Sequence, residues 1–361
     1  MAKVPPPEGM AWVLGDHTWV TPALLRKFVA ACPAEGGRLG LQGPFVDFTG
    51  PLQDLPVDNG LSLYPVGLIK AGAEPVLQGL AVVELDLQAK LHQPPVGHPA
   101  YAGALQPIPV TAAAVHTVTH WSHLLRVNLL ALVAAAETER GLVEAAPWYV
   151  KLWTALALVW RARSINKWKL ATAVGPMGKN CEIHPTATVE ACWLGDNVEI
   201  GPHAVVRASW LGDGVKIGEH AQVNLSVVME KAEISRGTMA NICLLMPQAL
   251  ISPGFGHQAC VFGRECFVAY GATFFDLSFG GDIKVSHRGE RVSSGTKFLG
   301  TAVGHRAKVG PHVVVGYGEA IPNDAFLIVD PARIFRRIPD ELPVGEPVFF
   351  RDGEIKGVGG G

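Results

Sequence analysis

Ile183, Ile200, Ile217, Ile234, Ile251 and Val268 stand seventeen residues apart, and that period confines this part of the chain to a stack of equivalent coils. Other columns keep the same step. Val189, Val206 and Val223 lie six residues after their anchors, and Leu194, Leu211, Val228, Leu245 and Phe262 lie eleven after. Each unit therefore divides into sides of six, five and six residues, each opened by an aliphatic residue. A three-sided coil cannot bury its apolar face alone, whereas stacked coils share one core, so the spacing predicts a parallel β-helix rising roughly 4.8 Å per coil.

The ladder explains local composition. The column nine after each anchor reads Cys192, Ser209, Ser226, Cys243 and Cys260, small residues expected where the walls converge. The column twelve after reads Gly195, Gly212, Met229, Met246 and Gly263, expected at a corner with positive φ. After an interruption the spacing resumes in sixes at Val303, Val309, Val315 and Ile321. The solenoid is assigned to 176–330, with a loop insertion at about 274–297 and a tail over 331–361.

Residues 1–115 read as a small α/β domain and 116–175 as a helical linker. Thr21 followed by Pro22 marks a helix start, closed by Gly36-Gly37. Alternation over 83–91 predicts a half-buried strand, with shorter strands around 12–14, 45–48 and 61–68. Helical patterns run from about 118 to 141 and again from Pro147 to Trp168. The second combines Trp148, Trp153, Trp160 and Trp168 with Lys151, Arg161, Arg163, Lys167 and Lys169. Capping of the first coil is the preferred reading of that helix, and peripheral membrane contact the other.

With 361 residues and a net charge of −2, the chain has no basic footprint for nucleic acid. Its first residues lack the apolar run of a signal peptide, and no stretch reaches the roughly 20 apolar residues of a membrane span. The cysteines read as small core residues rather than a disulfide framework, and a cytoplasmic location is expected.

The segment T-H-W-S-H-L-L-R-V-N-L-L resembles the helix that leads from the catalytic domain of sugar-nucleotide pyrophosphorylases into a left-handed β-helix. G-D-H-T-W-V-T-P-A-L-L-R-K-F is similar to a stretch well inside that catalytic domain, and V-D-P-A-R-I-F-R-R-I-P resembles the closing segment of many hexapeptide acyltransferases. The resemblance implies a left-handed solenoid, a homotrimer, and a truncated, degenerate nucleotidyltransferase-like amino domain. Nucleotidyl transfer itself is not expected, because a glycine-rich cradle must let backbone N–H groups approach a triphosphate. The nearest match, Gly36-Gly37-Arg38-Leu39-Gly40, follows a helix rather than a strand.

Acyl transfer to a sugar, nucleotide-sugar or related small acceptor is the activity the resemblance implies, with acyl-CoA or acyl carrier protein as donor. His257 is the candidate general base, in a segment similar to the "G-H … G-A-G-T" stretch of glucosamine-1-phosphate acetyltransferase domains. It breaks a column of Val189, Val206, Val223 and Ala240, so it is either that base or a hydrogen-bonded core histidine. Tyr270, Asp276, Lys284, His287 and Arg288 are candidate substrate contacts in or beside the interruption, the alternative being a solvated loop. Arg306, Lys308, Arg333, Arg336 and Arg337 either hold phosphates of coenzyme A or solubilise the solenoid's open end.

Two other function classes stay open. One is a non-catalytic assembly or regulatory protein that keeps the solenoid for trimerisation. The other is a zinc-dependent hydratase of the carbonic anhydrase type, which needs three convergent histidines. His203 and His220 stack but lack a third partner. His116, His120 and His123 share a face only if V-H-T-V-T-H is helical, and its β-branched residues favour a strand. No metal is expected.

Overall fold

The computed structural model describes residues 4–94, 106–162, 175–334, 348–351 and 354–357. Its larger part is a parallel β-solenoid with three faces. The first face is an eight-stranded sheet from Glu182–Ile183 to Phe326–Leu327. The second has five strands, from Thr188–Glu190 to His257–Gln258. The third has seven, from Trp193–Leu194 to Ala320–Ile321. Pairing is in the register the seventeen-residue period demands: Ile183 opposes Ile200, Ile200 opposes Ile217, and Leu194 opposes Leu211. The anchors point inward and build one continuous core.

Corners are made differently from the sequence expectation. Each turn uses left-handed residues, and most are not glycine: Asn197, His203 and Ala208 have φ of 56°, 57° and 43°. Gly195 and Gly212 are not among the positive-φ residues. Their role is close approach, since a Cβ on Gly195 would lie 2.8 Å from the Asp213 nitrogen in the next coil.

The column of small residues also does more than save space. Ser226 is fully buried; its Oγ donates to Asn224 O at 2.7 Å and accepts from Cys243 N at 3.0 Å. Ser226→Ala removes that acceptor and strands an N–H, so thermal or urea unfolding should show a loss of about 1–3 kcal/mol. Ser226→Cys, which restores the group used by neighbouring coils, should recover most of it.

The ladder stops and restarts without losing register. Phe262 pairs with Val303, Val268 with Val309 and Phe274 with Val315, so the interruption is an excursion between two adjacent coils. It carries an antiparallel hairpin, Lys284–His287 with Glu290–Ser293. This is not a solvated loop: Ile283 and Val285 are buried.

The amino-terminal elements are β1 (Met10–Leu14), β2 (Thr18–Val20), α1 (Pro22–Ala31), β3 (Gly37–Leu41), α2 (Pro44–Thr49), β4 (Val57–Asp58), β5 (Leu61–Lys70), β6 (Val82–Glu84), β7 (Lys90–His92), β8 (Ile108–Val110) and β9 (Val115–Thr117). A sheet ordered β1-β5-β3-β6 packs with α1 around Leu24, Phe28 and Tyr64, all fully buried. Thr21 caps α1 by accepting from Leu24 N. Two expectations fail. Residues 45–48 are helical because Gly43-Pro44 starts a helix, and the alternating stretch 83–91 is split into the ends of β6 and β7. Gly36 and Gly37 serve packing rather than a phosphate: a Cβ on Gly36 would lie 2.4 Å from Leu68 O.

Two helices follow, α3 (Trp121–Ala145) and α4 (Trp148–Ala162). α3 lies against the outer side of the third face, where Leu125 and Leu132 meet Val227, Leu244 and Val261. Trp193 Nε1 donates to Glu139 Oε1 at 2.9 Å near its far end. The expectation that the second helix caps the first coil is not met over α4. That helix is largely exposed, and residues 163–168 lie outside the described residues.

Candidate functional site

α3 enters the junction between the amino-terminal domain, the solenoid and the excursion, and a cavity of about 430 Å³ lies there. Phe48, Ile108 and Val110 line it from the amino-terminal domain; Leu125 and Leu129 from α3; Leu225, Ile242 and Ala259 from a solenoid corner; and Phe298 and Leu299 from the excursion. Such a lining suits a hydrocarbon group. Leu225, Ile242 and Ala259 reach it because their φ values of 46°, 54° and 48° turn the side chains out of the coil.

One full charge stands in that wall. Arg126 is 8% exposed, and its Nη1 donates to Pro51 O at 3.0 Å while Nη2 donates to Ser294 O at 2.7 Å. Among the described residues no carboxylate pairs with it. Burial pushes its pKa down to about 10, so it remains a guanidinium at neutral pH. Five N–H bonds minus two used leave three to offer an oxygen. Nothing in a motif search marks Arg126, although an arginine inside the apolar stripe of Leu125, Leu129 and Leu130 is a readable signal.

A polar ladder leaves the cavity along the second face. Asn241, in the cavity wall, donates from Nδ2 to Gln258 Oε1 at 2.9 Å, and Gln258 Nε2 donates to Asp276 Oδ2 at 2.7 Å. Burial raises the Asp276 pKa against the opposing effect of Gln258.

His257 does not join them. It is 1% exposed, with its ring centroid 4.9 Å from that of Phe274 and 5.3 Å from that of Phe262, and its Nδ1 has no hydrogen-bond partner. Burial pushes its pKa down to about 4. The flanking Gly254 and Gly256 do not turn the ring outward. As placed, it cannot meet an acceptor outside the coil.

Four other histidines cluster where the excursion meets the start of α3. Rings of His116 and His123 lie 4.8 Å apart, and those of His120 and His287 5.6 Å apart. His123 is engaged at both nitrogens, with Nδ1 accepting from Thr119 N and Nε2 reaching Pro51 O. His120 Nδ1 accepts from Ser122 N at the helix start, and its Nε2 contacts Ser286 O. Among the described residues no group of three metal-ligating side chains has a geometry that could hold an ion.

The remaining candidates are scattered. Tyr270 is exposed and edge-on to His312; Lys284 is exposed on the hairpin; Arg288 pairs with Asp54 at 2.5 Å on the surface. Arg306 is held by Asp324 through two bonds of 2.7 and 2.8 Å, and Lys308 projects from the first face. Arg333 ends a short 3-10 turn, while Arg336 and Arg337 lie outside the described residues. The described cations therefore do not form one cluster with the cavity.

Residues 169–261 match the family model of the GMPPB C-terminal domain. The resemblance to sugar-nucleotide enzymes thus holds over the solenoid as far as residue 261. No curated protein matches the chain. Solved structures with similarity include a mutant of GDP-perosamine N-acetyltransferase from Caulobacter crescentus in complex with CoA and GDP-perosamine, at 15% identity and a TM-score of 0.15, covering 44% of this chain. This chain spans 54% of that protein's length. Another is UDP-N-acetylglucosamine acyltransferase from Campylobacter jejuni, at 16% identity and a TM-score of 0.16, covering 41% of this chain and 68% of that one. A third is serine acetyltransferase isoform 3 from Entamoeba histolytica with cysteine, at 16% identity and a TM-score of 0.13, covering 60% and 68%.

Proposed function

We propose that this protein is a hexapeptide-type acyltransferase that lodges the acyl chain of its donor in the cavity beside Arg126 and transfers it to a sugar, nucleotide-sugar or related small acceptor. The observation that carries this reading is an apolar cavity containing one buried guanidinium that no carboxylate among the described residues pairs with. A hydrocarbon chain fills the apolar part. The donor thioester carbonyl then faces Arg126, whose free N–H groups stabilise the oxyanion that forms as the acceptor attacks.

Asp276 stands beyond Asn241 and Gln258 from the cavity wall, and its raised pKa suits a base that takes the proton of an acceptor held against it directly or through one water. The collapsing tetrahedral intermediate expels the donor thiolate, which leaves as the thiol on protonation. The donor is acyl-CoA or an acyl carrier protein, and a homotrimer is the assembly this reading favours.

A second reading, a non-catalytic assembly protein, draws on the burial of His257, the base expected of an acetyltransferase-like coil. The two separate in one experiment. Acyl-CoAs of increasing chain length should raise the melting temperature in order of length, because a ligand bound only by the native state stabilises it. Transfer to a panel of UDP- and GDP-sugars should accompany binding. No shift with any chain length would overturn the acyltransferase reading and leave the assembly one.

A further inference from the structure

α4 presents an apolar surface to solvent that the rest of the described chain does not cover. Trp148, Trp153 and Trp160 are 75%, 70% and 82% exposed, and Tyr149, Leu152 and Leu156 are at least half exposed. Such a helix in water is costly, since each of these side chains gives up about 1.5–3 kcal/mol by not being buried. Nothing among the described residues covers it.

The arrangement along the helix says what would. At about 100° per residue, Lys151 and Thr154 fall within one arc, shared with Leu158, while Trp148, Leu152, Leu156, Tyr149, Trp160 and Trp153 occupy the opposite half. The charge is of one sign. From Ala145 to Cys181 the sequence contains six basic residues, Lys151, Arg161, Arg163, Lys167, Lys169 and Lys179, and no acidic one. Interfacial aromatic residues on one side of α4, Lys151 on the other and a wholly basic flanking sequence match a bilayer surface, where rings sit at headgroup level and cations meet anionic phosphates.

Over its described residues α4 is too short to span a bilayer. Fifteen residues reach about 22 Å, short of a hydrocarbon core of about 30 Å, and no described helix is long and apolar enough to cross a membrane. Leu142 and Val143, at the end of α3, are exposed beside it and extend the apolar surface across the bend at Pro147.

We propose that α4 lies in the interfacial plane of a bilayer containing anionic lipid and attaches the protein peripherally to that surface. The inference does not depend on the acyltransferase reading, since it rests on α4 alone. The attachment is electrostatic and hydrophobic together, so it weakens with added salt and with either loss of apolar contact or loss of charge.

The test is flotation of the full chain with vesicles of phosphatidylcholine alone and of phosphatidylcholine with 30 mol% phosphatidylglycerol (~30%, chosen to give a strongly anionic surface). The wild-type chain should float with the anionic vesicles, with a blue shift of tryptophan emission, and stay behind with the neutral ones. Trp153→Glu with Leu156→Glu should lower the anionic-vesicle partition coefficient at least about tenfold, and Lys151→Glu should lower it about fivefold. These positions are exposed, and unchanged circular dichroism and melting temperature would show that the fold survives. Equal recovery of the wild type in the soluble fraction with both vesicles overturns the proposal. So does unchanged flotation of the Trp153→Glu, Leu156→Glu protein, or a drop in oligomer size in that variant without any lipid binding by the wild type, which would assign the surface to a second copy.

Discussion

Arg126→Gln is expected to lower acyl-transfer turnover by about 10²–10³-fold with little change in acceptor KM, because it removes the one charge that faces the developing oxyanion. Stability should move far less. The wild-type guanidinium is buried without a paired carboxylate among the described residues, so losing the charge relieves a desolvation cost while the carbonyls of Pro51 and Ser294 lose donors. Arg126→Lys keeps the charge without the planar fork and should restore part of the rate. Steady-state kinetics on the three proteins, with melting curves as the fold control, check this. Equal turnover in Arg126→Gln and wild type would reduce Arg126 to a clamp between the amino-terminal domain and the excursion.

The second large effect is acid sensitivity. Burial pushes the imidazoles of His257 and His123 down to about 4 and that of His116 to about 3. Their unfolded value is near 6.5, so the unfolded chain binds these protons first as pH falls. The stability they contribute is therefore whole above about pH 6.5 and is lost progressively toward pH 4, and for His116 toward pH 3. His257→Leu isolates one member, since it replaces a ring with an unpartnered nitrogen by the kind of aliphatic residue its column otherwise carries. Measured by urea unfolding, its advantage over wild type should grow by about 2 kcal/mol between pH 8 and pH 5. An advantage independent of pH would mean that the ring is solvated in the native state.

The solenoid was legible because its physics is periodic: one column of inward aliphatics at seventeen residues dictates register, core and restart together. The site was not. The cavity is assembled by α2, β8, α3, a solenoid corner and the excursion, parts as far apart in the chain as Phe48 and Leu299, and no local pattern records that they meet. His257 illustrates the limit. Its departure from a valine column is visible in sequence, but the direction of its ring depends on whether Phe262 and Phe274 close over it. Residues 45–48 are helical where the sequence predicts a strand for a local reason, since four apolar-rich residues carry no period and only Gly43-Pro44 decides for helix.

The in-register pairing of Phe262 with Val303 sets the excursion apart in another respect. The chain between Phe274 and Ala302 leaves and returns through neighbouring rungs, so the scaffold on either side has the same hydrogen bonds it would have if the segment were short. Changes inside the segment, including its length, are then nearly uncoupled from the folding of the coils. A lineage carrying this architecture can revise what contacts the cavity while inheriting its frame intact.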